Sequence, residues 1–412
     1  MRVIVIGGGV AGSAAALALR RTGAGVTVYE AYADPAGDVG SFVSLASNGL
    51  RGLDALGCLG EIQRAGVEVP RQRMWSASGR LLGDVPRGRR GDDPLHSVTL
   101  PRGRLVAALR AAATAAGATV VTGERLIRVD TDGTAEFQSG REDRADLLVA
   151  ADGIWSTVRS QLDPAAPRPE YAGLYTISGV SRGVDLEPGV FNMTFARNGA
   201  FIHVPAGDGE VWWSAQIADP TEPDRAGVTE AEWLRRTAAL YRREAVPSAV
   251  IAATTELHPA VIMHAVDPVP TWHGDRIVLV GDAAHPVGAG QGASMAIEDV
   301  LVLARSLTRS RAPSPTGSRA PSPTGSQASS PTRSRASGAD IPAALAAYDA
   351  ERRPRVVKLL GMAEDNRGTK KAGPVKRTLQ AAAMRMFVPL FYERATAWLY
   401  AYDPPKIEAS FT

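Results

Sequence analysis

The sequence predicts an α/β fold in which a parallel-sheet domain, discontinuous along the chain, is interrupted by an antiparallel-sheet domain and followed by C-terminal helices. Three observations carry this expectation. Short, wholly apolar runs such as Val3-Ile4-Val5-Ile6 and Leu147–Ala151 stand beside Ala/Leu-rich helical stretches, as strands buried on both faces of a parallel sheet do. Between about 171 and 265 apolar residues alternate with Gly, Asn, Thr and aromatics, as in Phe191-Asn-Met-Thr-Phe195 and Val211-Trp-Trp-Ser-Ala215, a period-two texture. After residue 339 the helical texture returns.

Taken in order, Val3–Ile6 is the first strand and Ala11–Arg21 the first helix, ended by Gly23 and Gly25. Val26–Glu30 is the second strand, which completes a βαβ opening. Residues 47–66 read as one helix, with Leu50, Leu53 and Leu56 at helical spacing. Arg104–Ala116 is another helix, Ala118–Thr122 and Leu147–Ala151 are strands, and a helix near 230–243 interrupts the alternating region. Strand 276–280 and helix 291–308 restore the parallel pattern. Ser310–Gly317 is then repeated unchanged as Ser318–Gly325, with a decayed third copy to about Ser337. This Ser/Pro/Arg composition predicts a disordered insertion, 309–338. Segment 377–402 is rich in Met, Phe, Trp and Tyr, but Arg385, Pro389, Glu393 and Arg394 break it as a membrane span.

Composition narrows the function. The chain has 412 residues, 45% hydrophobic and 22% charged, enough apolar material for two or three packed domains. A net charge of +3 leaves no nucleic-acid footprint. The single cysteine, Cys58, excludes an intrachain disulfide and Cys₄ or Cys₂His₂ zinc sites, and the six histidines form no ligand cluster, so no metal is expected. Met1-Arg2 and the apolar run after it resemble a signal peptide superficially. The glycines Gly7-Gly8-Gly9 and the βαβ pattern point instead to a cytoplasmic protein without a transmembrane span.

The chemistry-bearing motif is Gly7-x-Gly9-x-x-Gly12, between a strand and a helix. Its glycines permit a tight turn, close backbone approach to a pyrophosphate, and tight helix–strand packing, which makes the domain Rossmann-like. The pyrophosphate then rests on the positive helix start. Glu30, at the end of the second strand, can accept hydrogen bonds from an adenosine ribose and disfavours a 2′-phosphate, so the ligand is FAD or NAD rather than NADP. Asp152 and Asp282 each follow a buried strand, where a carboxylate can hold a flavin's ribityl chain or simply cap a helix. Gly290 and Gly292 flank the start of the next helix, whose exposed amides can stabilise negative charge on a reduced ring.

Together these residues resemble the class A flavoprotein monooxygenases, the family of p-hydroxybenzoate hydroxylase, over nearly the whole chain. The resemblance rests on Gly7–Gly12, Glu30, Asn48-Gly-Leu-Arg51, Arg102-x-x-Leu105, Asp152-Gly153 through Arg159, and Trp272–Asp282 through Asp299. It implies that Glu30 binds the adenosine ribose, Arg102 the flavin phosphate side and Asp282 the ribityl chain. Asp152-Gly153 would organise the flavin and pyridine-nucleotide region. The cofactor set is thus Gly7, Gly9, Ala11, Gly12, Glu30, Arg102, Asp152, Gly153, Asp282, Gly290 and Gly292. Two departures stand out: Ala289 occupies a position where the family usually has proline, and the His285–Gly290 loop is two residues short. No Trp-x-Trp-x-Ile-Pro motif is present, which argues against flavin halogenases.

The resemblance further implies FAD as cofactor and NAD(P)H as a transient co-substrate. A flavin C4a-hydroperoxide formed with O2 would hydroxylate or epoxidise an aromatic, polycyclic or otherwise electron-rich small molecule, such as a natural product. The implied division is a FAD-binding domain of 1–70, 98–170 and 270–308, a substrate-binding domain of 71–97 and 171–269, the insertion 309–338, and a helical segment 339–412. His203 and Trp213 are candidate substrate contacts, His285 reads as structural, and no acid–base residue is assigned. A monomer or homodimer is expected. A flavin oxidase or reductase on the same fold, or a non-catalytic FAD-binding protein, are the alternatives.

Overall fold

The computed structural model describes residues 1–34, 42–287, 290–310, 340–370 and 374–407, with side chains given for all of these except 363–370 and 374–378. The βαβ opening is β1 (Arg2–Ile6), α1 (Val10–Arg21) and β2 (Gly25–Glu30). There follow β3 (Phe42–Leu45), α2 (Ser47–Ala55), α3 (Leu59–Ala65), β4 (Val67–Glu68), β5 (Arg71–Ser76), β6 (Leu81–Pro86), β7 (Val98–Pro101) and α4 (Arg102–Ala115). Next come β8 (Thr119–Thr122), β9 (Leu126–Val129), β10 (Thr134–Phe137), β11 (Glu142–Arg144), β12 (Leu147–Ala150) and α5 (Thr157–Leu162). The alternating region forms β13 (Glu170–Arg182), β14 (Val190–Ala196), β15 (Gly199–Pro205), β16 (Glu210–Ala218), α6 (Glu230–Tyr241), α7 (Ala245–Ala252) and β17 (Thr254–Ala265). The chain closes with β18 (Ile277–Leu279), α8 (Gly292–Arg309), α9 (Ile341–Lys370) and α10 (Pro374–Tyr400).

Two sheets dominate. The first has five parallel strands in the order β18-β12-β1-β2-β8, and its central strands are the apolar runs picked out from sequence. Val3, Ile4 and Val5 of β1 and all of β12 are fully buried, as strands covered on both faces must be. The second has seven strands in the order β17-β13-β16-β15-β14-β5-β6. It is antiparallel except where β5 lies parallel to β14, because the hairpin β5–β6 returns from an earlier part of the chain. Each sheet has its own apolar core: one around β1, β12, α1 and α8, another between β13, β15, β16 and the helices α6 and α7.

The expected helix 47–66 is two helices. Gly57 takes a left-handed φ of +62° and Cys58 follows, so the chain turns between α2 and α3. Likewise the helix near 230–243 ends at Tyr241 and is followed by a second, α7. The repeat and the proposed insertion 309–338 lie outside the described residues except for their first two positions, where α8 ends. No helix among the described residues is long and apolar enough to cross a membrane.

Candidate cofactor-binding site

The glycine loop has the geometry its sequence requires. Gly7 adopts φ +98°, and a Cβ there would lie 2.4 Å from the Ala151 carbonyl oxygen. A Cβ on Gly12 would lie 1.8 Å from the Gly7 oxygen, so the first turn of α1 folds directly onto the loop. Gly9 caps α1 without any side-chain hydrogen bond, which leaves helix-start amides for an anionic ligand. Glu30 is buried at the end of β2; its Oε2 accepts the Gly8 N–H at 2.6 Å and its Oε1 the Tyr32 N–H at 2.9 Å. Each oxygen retains a lone pair for a further donor.

Two more loops converge on this one. Ala151 and Asp152, directly after β12, lie against Gly7. Asp152 Oδ2 accepts the Val158 N–H at 3.1 Å, while Oδ1 is buried with no partner. Burial pushes this carboxyl above the ordinary carboxylate range, against the pull of hydrogen bonds from Ser156 and Val158. Gly153 takes φ +77°, the left-handed turn that lets the chain pass into α5. The N-cap of that helix is Ser156, whose Oγ accepts the Arg159 N–H at 2.9 Å, and not Asp152 itself, which bonds the Val158 N–H one residue earlier in the first turn. The third loop follows β18. Gly281, at φ +57°, places a would-be Cβ 3.0 Å from the Ala11 Cβ, which explains why α1 carries a small residue at position 11.

Asp282 reaches solvent along one edge of this junction yet is crowded by protein on the others. Burial raises its carboxyl, and the nearby His285 and Arg102 oppose that rise. Its Oδ1 lies 3.6 Å from where a Cβ on Gly292 would be, at the start of α8, and that helix also begins without a side-chain cap. Arg102, the first residue of α4, brings Nη2 to 3.8 Å from a would-be Cβ on Gly9. Arg102 thus stands between the glycine loop and Asp282. Gly290 lies beyond, with φ +74°. Residues 288 and 289, including the Ala289 departure, lie outside the described residues.

These residues fit an extended dinucleotide such as FAD. Two uncapped helix starts face the same junction, glycines leave room where side chains would intrude, and bare buried acceptors stand on the residues that flank it, Asp152 Oδ1 and Gln291 Oε1.

Behind this surface lies a buried polar network that the sequence did not disclose. Asp299, fully buried in α8, accepts the Gly281 N–H at 2.9 Å, His285 Nε2 at 2.6 Å and Arg352 Nε at 2.8 Å. These partners hold its carboxyl down at about 2 against the desolvation that would raise it. Glu298 accepts Asn48 Nδ2 at 2.7 Å, Arg352 Nη1 at 2.6 Å and Arg355 Nε at 2.7 Å. Arg159 adds a strut, donating to the Ala283 oxygen at 3.1 Å and the Ile154 oxygen at 2.5 Å, so the second and third loops are tied together. His285 has the structural position expected of it. A cavity of about 20 Å³ beside it, lined by Trp272, Pro286 and Arg353, is the size of one water and too small for a substrate.

The two candidate substrate contacts are placed differently from the expectation. Trp213 and His203 are cross-strand partners and so share one sheet face. That face is covered by α6 and α7: Trp213 stacks on Phe201 at 5.7 Å, and the Tyr241 hydroxyl reaches the Ala200 oxygen beneath them. Trp213 is wholly buried, and burial lowers the His203 imidazole to about 4. The opposite face carries Phe191, Ile202, Val204 and Trp212, packed toward Phe42 and Val69. On that face the Arg87 guanidinium lies 3.8 Å over the Phe191 ring and near Gly290. One residue of register separates Trp212 from Trp213 and decides which side each serves.

Comparison with known proteins agrees with this geometry. The family model for the FAD binding domain matches residues 1–311. Aurachin C monooxygenase/isomerase of Stigmatella aurantiaca is 30% identical over 372 residues, covering 86% of this chain and 86% of that protein. Kynurenine 3-monooxygenase of Salinispora arenicola is 30% identical over 395 residues, covering 89% and 79%. Among solved structures, Klebsiella pneumoniae HpxO complexed with FAD and uric acid shares the fold with a TM-score of 0.78 at 23% identity, covering 98% of this chain and 97% of that one.

Proposed function

The chain belongs to the FAD-binding-domain family of FAD-dependent monooxygenases, and from that premise we propose that it hydroxylates or epoxidises an aromatic small molecule with NAD(P)H and O2. The substrate class fits a natural product. The observation that carries the reading is the meeting of segments 7–12, 151–153, 281–287 and 290–292 around Arg102 and Asp282.

Within that reading the α1 start and Gly7–Gly12 receive the diphosphate, Glu30 the adenosine ribose, and Asp282 the ribityl chain. Arg102 offsets the diphosphate charge. Ala11 and Gly281 keep the two loops in van der Waals contact, so the cofactor's two halves are held at a fixed distance. Asp152 Oδ1 and the Gly153 turn stand where a further polar partner of the cofactor or of NAD(P)H docks. The α8 start, with Gly290 and Gly292, presents amides to the flavin ring. Bound FAD supplies the transfer of two electrons from NAD(P)H and of one oxygen atom from O2 to the substrate.

The chain's own contribution to the chemistry is placement and exclusion of water. The sheet face bearing Phe191, Ile202, Val204 and Trp212 forms an apolar wall facing Phe42, and an aromatic substrate packs there. This assigns the parallel-sheet unit (1–70, 98–170, 270–308) to the cofactor and the seven-stranded unit (71–97, 171–269) to the substrate. Cys58 as the only thiol suits a cytoplasmic, reducing setting. The decisive experiment turns the enzyme over under labelled oxygen with the aromatic compound that most accelerates NAD(P)H oxidation. One labelled atom in the product is expected; a product with no oxygen from O2 makes the protein an oxidase or reductase.

A further inference from the structure

Helix α10 is apolar on two opposite sides, and the rest of the described chain covers one of them. On the inner side Met384, Val388 and Tyr392 pack against Met74, Leu82 and Val85 of the β5–β6 hairpin. The contact is close: a Cβ on Gly83 would lie 2.7 Å from Val388 Cγ1. On the outer side Leu379, Ala383, Met386 and Leu390 recur at steps of four, three and four residues, which aligns them along one stripe. Phe387 and Phe391 border that stripe one turn apart, with ring centroids at 6.0 Å. Leu379, Met386, Phe387, Leu390 and Phe391 are between 48% and 71% exposed, whereas the other exposed large apolar residues are scattered through the sequence. Single exposed apolar residues are ordinary, but five within about four turns of one helix make a contiguous patch.

What covers this stripe follows from three observations. Residues 311–339, the longest stretch outside the described residues, contain no Val, Ile, Leu, Met, Phe, Trp or Tyr, so they bring nothing apolar to lay on it. The stripe is about 18 Å long and about 10 Å wide. Two copies pairing through it would bury on the order of 400 Å² in total, well short of the roughly 1,200 Å² of a stable interface. Thirdly, α10 is cationic. Lys376 and Arg377 lie in its first turn, Arg385 and Arg394 are exposed further along, and its one acid, Glu393, already accepts the Gly91 N–H at 3.2 Å. Two such helices repel, whereas an anionic surface attracts. We propose that the outer face of α10 docks the protein on an anionic lipid bilayer, with Leu379, Met386, Phe387, Leu390 and Phe391 entering the boundary between headgroups and acyl chains. The helix lies along the membrane plane in one leaflet, its inner face still on the hairpin. Apolar burial supplies the depth, and the helix's charge selects acidic headgroups. Because β6 is the edge strand of the seven-stranded sheet, docking brings that sheet to the lipid surface.

The test is co-sedimentation of the full-length protein with vesicles of phosphatidylcholine, made with or without phosphatidylglycerol. At about 0.1 M salt, affinity for the anionic vesicles exceeds that for phosphatidylcholine alone by about tenfold or more. Raising the salt to about 1 M cuts that advantage below about threefold. Met386→Ser combined with Leu390→Ser lowers the affinity about tenfold or more, with flavin content and melting temperature unchanged. Ile127→Ser, which removes an exposed apolar side chain from β9, moves the affinity less than about twofold. No sedimentation with either vesicle, equal sedimentation with both, or undiminished binding by the paired serine variant each overturns the proposal. Sedimentation velocity covers the remaining occupant. A dimer that the paired variant converts to monomer, without vesicle binding, overturns the proposal and assigns the stripe to a second copy. The lipid and salt dependence are read on the unaltered protein, so they decide the matter even where the variant folds poorly. Neither reading involves turnover, so failure here leaves the monooxygenase reading standing.

Discussion

In the five-stranded sheet the candidate site is made by main chain; in the seven-stranded sheet it is made by which way side chains point. Around β1, β2 and β12 the ligand-facing groups are helix-start amides, turns at Gly7, Gly153 and Gly281, and carboxylates at strand ends, all fixed by backbone geometry. Around β14, β15 and β16 nothing in the backbone distinguishes the two faces. Phe191 and Trp212 look toward Phe42, whereas Phe201 and Trp213 look toward Tyr241 and the helices. A function carried by main chain leaves a motif of obligatory residue types. A function carried by facing depends on register, which shifts meaning with every single residue.

Five substitutions probe the contrast, beginning with the main-chain site. Gly12→Ala attacks the main-chain site: its Cβ would stand 1.8 Å from the Gly7 oxygen. FAD affinity should fall about a hundredfold or more, read as flavin absorbance relative to protein absorbance after gel filtration. Undiminished flavin content would show that α1 does not need its close contact with the loop.

Trp213→Ala attacks the sealed face and should destabilise by about 4 kcal/mol in denaturant titration. Its KM for the most stimulating aromatic compound should not change. Trp212→Ala, across the sheet, should raise that KM about fivefold or more. A reversed pattern would exchange the two faces.

His203 gives the sealed face a pH signature. Unfolded, the imidazole takes up a proton below its ordinary 6.5; folded, it does so only near 4. Between those values the unfolded state binds more protons, so stability rises with pH, and as pH falls from 6.5 to 4 about 3 kcal/mol is lost. His203→Phe should flatten that part of the pH–stability curve; an unaltered slope would place the proton uptake elsewhere.

Asp282→Ala removes the proposed ribityl partner without touching the backbone. It should weaken FAD binding about tenfold and leave the melting temperature of the flavin-free protein unchanged.

The same contrast explains what the sequence disclosed. Gly7, Gly9, Gly12 and Glu30 were legible because a tight turn and a strand end fix both residue type and spacing. Asp152 and Asp282 were legible by position after an apolar strand, although cap and ligand could not be separated there. Trp212 and Trp213 were visible as aromatics, but their sides were not, since adjacent residues on a strand differ only in parity. Arg87, in Pro86-Arg-Gly-Arg-Arg90, carried no motif, because the Phe191 ring and Gln72 that define its place are remote in sequence or on a neighbouring strand. Arg352 and Arg355 gave no local signal at all, because the partners that define them, Glu298 and Asp299, lie more than fifty residues earlier in the chain.

That last pairing has a consequence for how the chain is joined. One buried carboxylate, Asp299, is shared by Gly281 and His285 before it and by Arg352 after it, and Glu298 is gripped by two arginines of α9. The union of α8 with α9 is therefore specified by charge and shape at the contact, independent of the residues that link them. Residues 311–339 contribute none of the side chains that make this recognition. A change in the number of copies of the eight-residue unit therefore alters none of the residues that join the two helices.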